Sequence, residues 1–492
     1  MSTHLRKAAR WVAAPAAVVC AVALIAQAAG AALIGAQLIS GPSPFASCAS
    51  TFAGNYLNAE VEPTIAASPG GGAVAVSWQQ DRWGDPSEGG AHGLVSWSSL
   101  TGKTSWAPFT TCSGGTTSRN GNWERASDVW LSWGPDGVLY QSALVFDQSN
   151  FSNAITVSRS YDGGSHWSTP SVVDNHPQAN ATYGDDKEAI TADPYKHGRV
   201  YVVWDQYDNT NPNTTYPAYF SKSTNGGRTW SSATAIYTKD AGTIGNQIVV
   251  LRNGTLLDFF VDTVVSGSQT TLELMVSRST DQGTTWSSNP TVVSTIDTVG
   301  TFDPTTSQYI RAGDGLFSVA IDRSSGALYT TWQDSRFSVG GSNDQVVLSR
   351  STDRGLTWST PQLVANTPAT PYWEYNQSFT PTVDVSNNGT VAVTYYDFRN
   401  NVNAAPFTDS VDYWAQTSSD GGRTWNATTR LTSSSFSASD APEAAGLMIG
   451  DYEALTHVGN QFIAAFEVTN TDPSNPTDIE FARFGGSDPD HG

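Results

Sequence analysis

Cysteine, methionine and histidine are scarce in this chain, at 3, 3 and 7 of 492 residues. The histidines are scattered, and no His-Glu-x-x-His or paired Cys-x-x-Cys pattern is present, so motif spacing predicts no metal centre. No Gly-rich phosphate loop runs from a strand into a helix, and the serine nucleophile turn Gly-x-Ser-x-Gly is missing. No cofactor is therefore expected; Asp205 to Asp208 could hold a structural calcium, at a spacing that is not diagnostic. Basic residues are few: 25 Lys and Arg against 45 Asp and Glu leave a net charge of −20. Such a surface repels nucleic acid and anionic membrane, so neither is an expected partner. Long helical periodicity is absent, which points away from helical folds.

What is present is a repeated motif, Ser-x-Asp-x-Gly-x-x-Trp. It reads SYDGGSHW (Ser160–Trp167), STDQGTTW (Ser279–Trp286), STDRGLTW (Ser351–Trp358) and SSDGGRTW (Ser418–Trp425). STNGGRTW (Ser223–Trp230) has Asn for Asp, and SLTGKTSW (Ser99–Trp106) keeps only the Ser and Trp. Successive Trp residues lie 56 to 72 positions apart, a period that points to β-propeller blades. Gly supplies left-handed backbone, Asp or Asn bonds nearby amides, and Trp anchors the turn on apolar surface.

Each repeat reads as four antiparallel strands. In the fifth these are LFSVAID (316–322), ALYTTWQD (327–334), QVVLSRS (345–351) and a short strand ending near Val364. After the sixth box comes a partial unit of three strands, DYEALTHV, FIAAFEVT and IEFARF, ending at Phe484. The fold class is thus all-β, a propeller of four-stranded blades, seven in number with six as the alternative, closed by an N-terminal strand. The segment from Cys48 to Asn58 is the expected donor of that strand.

His4, Arg6, Lys7 and Arg10 precede an apolar stretch from Trp11 to about Ile39, with Ala-x-Ala sites ending at Ala28 and Ala31. Residues 1–31 read as an export signal, or as a membrane anchor reaching about residue 39. Residues 32–59 form a linker with the candidate ring-closing strand, 60–484 the propeller and 485–492 a tail. The propeller is expected outside the cell, as a monomer. With Cys20 in the export segment, Cys48 and Cys112 are the expected disulfide.

Boxed turns join third and fourth strands, so ligand chemistry is expected on the opposite face, at second-to-third loops and first-strand entries. Those loops carry Arg82, Asp85, Asp205, Asp334, Arg336, Asp397, Arg399 and Glu467. The entries carry Trp123, Glu124, Arg125, Asp186, Lys187, Glu188, Arg311, Asp451, Tyr452 and Glu453. Carboxylates, Arg and aromatics converging on one funnel suit a sugar: Arg clamps a carboxylate, aromatics pack on the ring, paired acids move protons. Asp334/Arg336 and Asp397/Arg399 could equally bridge neighbouring sheets.

The boxes resemble the Asp boxes, or BNR repeats, of the sialidase-like propellers, over about Glu60 to Phe484. That resemblance implies a carboxylate held by three Arg, a Tyr nucleophile aided by a Glu, and an Asp that protonates the leaving group. Here the family's Arg-Ile-Pro place reads Val61-Glu62-Pro63, with Arg125 as the nearest substitute. The resemblance assigns Arg125, Arg82, Arg336 and Arg399 to substrate binding, with Glu124, Asp186, Lys187 and Trp123 beside them. Tyr452, Glu453, Glu188 and Asp85 form the catalytic set. The expected function is an exo-acting glycoside hydrolase on terminal sugars of glycans, acidic ones included. The alternatives are a non-catalytic glycan- or protein-binding propeller and a polysaccharide lyase using Lys187 beside Tyr183, or His92 near Arg82, as base.

Overall fold

A computed structural model describes residues 34–49, 54–84, 89–110, 123–177, 182–208, 215–239, 242–364, 376–401 and 408–486. The export segment, Asp85 and Cys112 lie outside them, and with Cys112 the expected disulfide. Among the described residues no helix is long and apolar enough to cross a membrane.

The chain is all-β and builds antiparallel four-stranded units in sequence order. Their first strands are Glu60–Ala67, Arg125–Trp133, Tyr183–Ala192, Thr243–Val250, Phe317–Ile321, Ser378–Val385 and Ala454–Val458, heading sheets one to seven. Each first strand touches the next, and Ala454–Val458 also touches Glu60–Ala67. A bridge from Ala91 to Ala126 joins sheets one and two. A small extra sheet pairs Tyr309–Arg311 in parallel with Leu447–Met448.

Burial falls from the inner strands outwards. Second strands such as Val74–Arg82 and Val391–Asp397 are buried along their whole length. Val74, Val76 and Trp78 pack into one core and Ala75 into another, because neighbouring sheets cover both faces of the strand. Fourth strands such as Gln362–Leu363 are exposed. The core accordingly lies between consecutive sheets: Phe259 packs with Trp332 between four and five, and Tyr140 with Trp204 between two and three.

The boxes fasten these stacks. In the first, Asp162 Oδ1 accepts from Ser160 Oγ at 2.8 Å and from the His166 amide at 2.9 Å. Ser160 Oγ accepts from the Gly164 amide at 2.8 Å, and Gly164 needs its φ of +89°. The boxed Trp reaches the preceding sheet. Trp167 donates to Ser105 of sheet one at 3.2 Å, and Trp230 to Ser171 of sheet two at 3.1 Å. Trp358 packs edge-on against Phe259 of sheet four. The worn box sits differently, with Trp106 40% exposed against Phe45 of the N-terminal segment.

One expectation is corrected here. The strand added to sheet seven is Ile34–Leu38, which pairs antiparallel with Thr477–Gly485, not the segment from Cys48 to Asn58. Of that segment, Asn55 bridges to Trp83 and Asn58 hydrogen-bonds Asp81, a cap on sheet one. Residues 34–38 are therefore sheet.

Candidate functional site

The first strands break regular alternation at one shared place. A β-bulge follows Val61, Ser127, Asp186, Ile244 and Phe379 in sheets one, two, three, four and six. The first bulged residue has positive φ in each: Glu62 (55°), Asp128 (49°), Lys187 (49°), Gly245 (75°) and Thr380 (48°). Gly adopts this conformation freely; the other four are held in it at about 1–3 kcal/mol each. The bulges redirect side chains at the end of the sheets away from the boxes.

A cavity of about 690 Å³ runs along these strands, lined by residues of all seven sheets. Asp128, Trp130, Lys187, Glu188, Asp451 and Tyr452 line its end opposite the boxes, and Pro69, Pro135, Tyr195 and Gly459 its far end. At the first end Lys187 Nζ donates to Asp451 Oδ2 at 2.6 Å and lies 3.6 Å from Asp128. Arg311 grips Asp451 with two prongs, Nε to Oδ1 at 2.9 Å and Nη2 to Oδ2 at 2.6 Å. Glu62 accepts from the Asp451 amide at 3.0 Å and from Gln79, which in turn accepts from Arg82 at 2.8 Å.

The electrostatics separate these acids. Burial alone would raise the Asp451 carboxyl, but Lys187 and Arg311 hold it well below the usual carboxylate range. Burial, with Asp128 nearby, pushes Asp186 up to about 7 and Glu188 well above its ordinary value. Among the described residues Glu188 makes no hydrogen bond of normal geometry, and it is 2% exposed. Burial, with Glu62, Asp128 and Glu188 around it, also raises the Tyr452 phenol. Its ring stands 5.6 Å from Trp130 and 5.6 Å from Lys187 Nζ.

The cluster thus brings together Tyr452, Glu188, Asp186, Lys187 and Arg82 of the expected set. Others are engaged or elsewhere. Glu453 follows Tyr452 and lines the same cavity, but its Oε1 is engaged, accepting from Tyr396 at 2.7 Å. Arg336 is clamped by its own sheet's Asp334 at 2.6 and 2.7 Å. Arg399 is clamped likewise by Asp397 and stacks 4.1 Å from Trp414. Arg125 stacks 4.1 Å from Trp83 and donates to the Gly89 carbonyl. Trp123 is 2% exposed, in the core between sheets one and two, and Glu124 binds Ser149 at the rim. No carboxylate clamp can be built from these three Arg.

The bases expected for a lyase are also spent. Lys187 is held charged by Asp451 and Asp128 despite burial, and Tyr183 lies against His176 instead. Burial, with Arg125 beside it, pulls His92 down to about 4. Asp205 gives both oxygens to Thr243, Asn246 and the Gly245 amide, which leaves little for calcium. Glu62 and Asp128 did not stand out in the sequence; their signal is a carboxylate three or four residues inside a first strand, just where alternation fails.

No protein-family model matches this chain, and no curated protein matches it. Solved structures do. A protein of unknown function from Dyadobacter fermentans is 12% identical over 74% of this chain and 95% of its own, with a TM-score of 0.47. A Hadza microbial sialidase is 16% identical over 80% of this chain and 73% of its own, at 0.47. An α-L-arabinanase from Penicillium chrysogenum, complexed with arabinobiose, is 11% identical over 91% of this chain and 98% of its own, at 0.46. At such identities these are likenesses of chain path, and they say nothing of this chain's substrate.

Proposed function

We propose that the seven sheets are the blades of a propeller closed by Ile34–Leu38, and that the channel mouth opposite the boxes is the active site of an exo-acting glycoside hydrolase for neutral sugars. The observation that carries this reading is the shared bulge. It spends backbone strain on turning Asp128 and Lys187 to one cavity mouth, where Glu188 and Tyr452 stand beside them, while Glu62, in the same bulge position, accepts from the Asp451 amide. Strain of this kind is kept where a site needs it.

Two carboxyl groups with opposed environments are what glycoside hydrolysis requires. Glu188, kept protonated by burial, is the proposed general acid. Asp128, 3.6 Å from Lys187 Nζ, is the proposed second carboxylate, as nucleophile or base. Tyr452 and Trp130 offer rings for the sugar face. Neutral substrates are favoured because the nearby cations are engaged: Lys187 and Arg311 by Asp451, and Arg82 by Gln79. The basic start and apolar run of residues 1–31 support export, with the propeller as an extracellular monomer.

The near-complete burial of Glu188 favours a second reading, a glycan-binding propeller without turnover. A panel of neutral aryl glycosides, sialosides and uronate polysaccharides separates the two. Release from a neutral glycoside is expected. Release from sialosides alone, or unsaturated uronate absorbance, would contradict the proposal; glycan binding without any turnover would favour the second reading.

A further inference from the structure

Away from the channel, four side chains converge between the outermost strand of sheet two (Ser171–His176) and the first two strands of sheet three (Tyr183–Ala192 and Val200–Asp208). They are Asp174, His176, Asp185 and Gln206. His176 Nε2 lies 3.4 Å from Asp174 Oδ2 and 3.3 Å from Asp185 Oδ1. The Gln206 amide nitrogen lies 3.4 Å from Asp174 Oδ2, 3.0 Å from His176 Nε2 and 3.2 Å from Asp185 Oδ1.

Hydrogen bonds leave one conflict in this group, the two nitrogens of His176 and Gln206 3.0 Å apart. With a proton on Nε2, His176 meets the Gln206 amide donor to donor. Without one, its lone pair faces two carboxylate oxygens. Turning the amide brings Oε1 inward and leaves at most one ring proton among three oxygens. Among the described residues, Asp185, 2% exposed, also has Oδ2 with no hydrogen-bond partner. The spacing suggests the remedy. Four ligands at about 2.0–2.1 Å around a tetrahedral ion stand about 3.3–3.4 Å apart, and the five edges above run from 3.0 to 3.4 Å.

We propose that Asp174, His176, Asp185 and Gln206, the last through Oε1, bind one divalent transition-metal ion of zinc type. One imidazole nitrogen and three oxygens in a closed tetrahedron suit zinc, whereas calcium takes six to eight oxygens. With all four positions filled by protein the ion is structural, and it ties sheet two to sheet three. It also fixes the strand two residues before Lys187, so it steadies the bulge at the channel mouth. Neither consequence depends on the hydrolase reading.

The test uses untagged full-length protein stripped with EDTA and titrated calorimetrically with zinc or calcium chloride. One zinc per chain is expected, with a melting temperature that rises on loading, and calcium should bind far more weakly. His176→Ala and Asp185→Asn should abolish that equivalent, and Gln206→Ala should weaken it at least about tenfold, a loss that even an outer-shell partner can cost. Should the first two variants fail to fold, zinc K-edge absorption of the wild type decides between one imidazole with three oxygens and any other set. No stoichiometric zinc, unchanged binding in folded His176→Ala, calcium binding as tight as zinc, or a different ligand set would overturn the proposal.

Discussion

Asp451 and Arg311 form a two-pronged ion pair, at 2.9 and 2.6 Å, between residues 140 positions apart. Lys187 closes on the same carboxylate from sheet three at 2.6 Å. One anion therefore holds two cations at the channel mouth, with side-chain exposures of 9, 23 and 11% for Asp451, Arg311 and Lys187.

Asp451→Ala takes the ion-pair partner from Arg311 and leaves Lys187 with Asp128 at 3.6 Å. It should cost about 3–5 kcal/mol in urea unfolding, the usual loss when one partner of a buried pair is removed. Adding Arg311→Met should cost less than the two single losses summed, because the sites share a partner. Strict additivity would show that the pairs do not form.

The boxes make a graded prediction. Trp358→Ala empties a contact on Phe259 between sheets four and five and should cost about 3 kcal/mol. Trp106→Ala, 40% exposed in the worn box, should cost less than about 1 kcal/mol. Equal losses in thermal unfolding would mean that the boxes do not fasten one sheet to the next.

Removing the chain before Gly41 deletes Ile34–Leu38 and bares the edge of Thr477–Gly485. Open strand edges recruit other chains. The truncated protein should melt lower and self-associate by light scattering, while the untruncated protein stays monomeric. An unchanged melting temperature would show that the strand contributes nothing to closure.

Asp186 predicts a pH effect with a definite sign. Burial, with Asp128 near, raises its folded value to about 7 from an ordinary 3.8. The folded state therefore holds the proton more tightly than the unfolded state. This contribution is fully present below about pH 4 and is lost as pH rises to about 7. Asp186→Asn should lose less stability than wild type between pH 4 and 7. Parallel stability curves would remove Asp186 from the account.

Much of the fold was legible, because boxes and strand runs are local signals. The Trp positions marked the four-stranded sheets, and the antiparallel order placed the second-to-third loops opposite the boxes. The mouth was less legible. Asp-x-Arg pairs such as Asp334/Arg336 and Asp397/Arg399 looked like ligand groups, yet such spacing lets a guanidinium turn back onto its own Asp. Glu62 and Asp128 were hidden because period-two reading assumes unbroken alternation, which the bulges break. Lys187 and Asp451 are 264 residues apart, a contact no spacing rule foresees. Residues 174, 176, 185 and 206 come from three strands, so no metal motif marks them. Ile34–Leu38 carries no distinct signal, because its sequence fits an apolar leader as well as a strand.

The hydrolase reading rests on which face does the chemistry. The most direct measurement is kcat/KM on the best neutral glycoside for Glu188→Gln at the channel mouth against Asp281→Asn in a box. The account predicts a loss of at least about 100-fold for Glu188→Gln, the lower range for a general acid, with little change for Asp281→Asn. Wild-type turnover in a folded Glu188→Gln protein would contradict it.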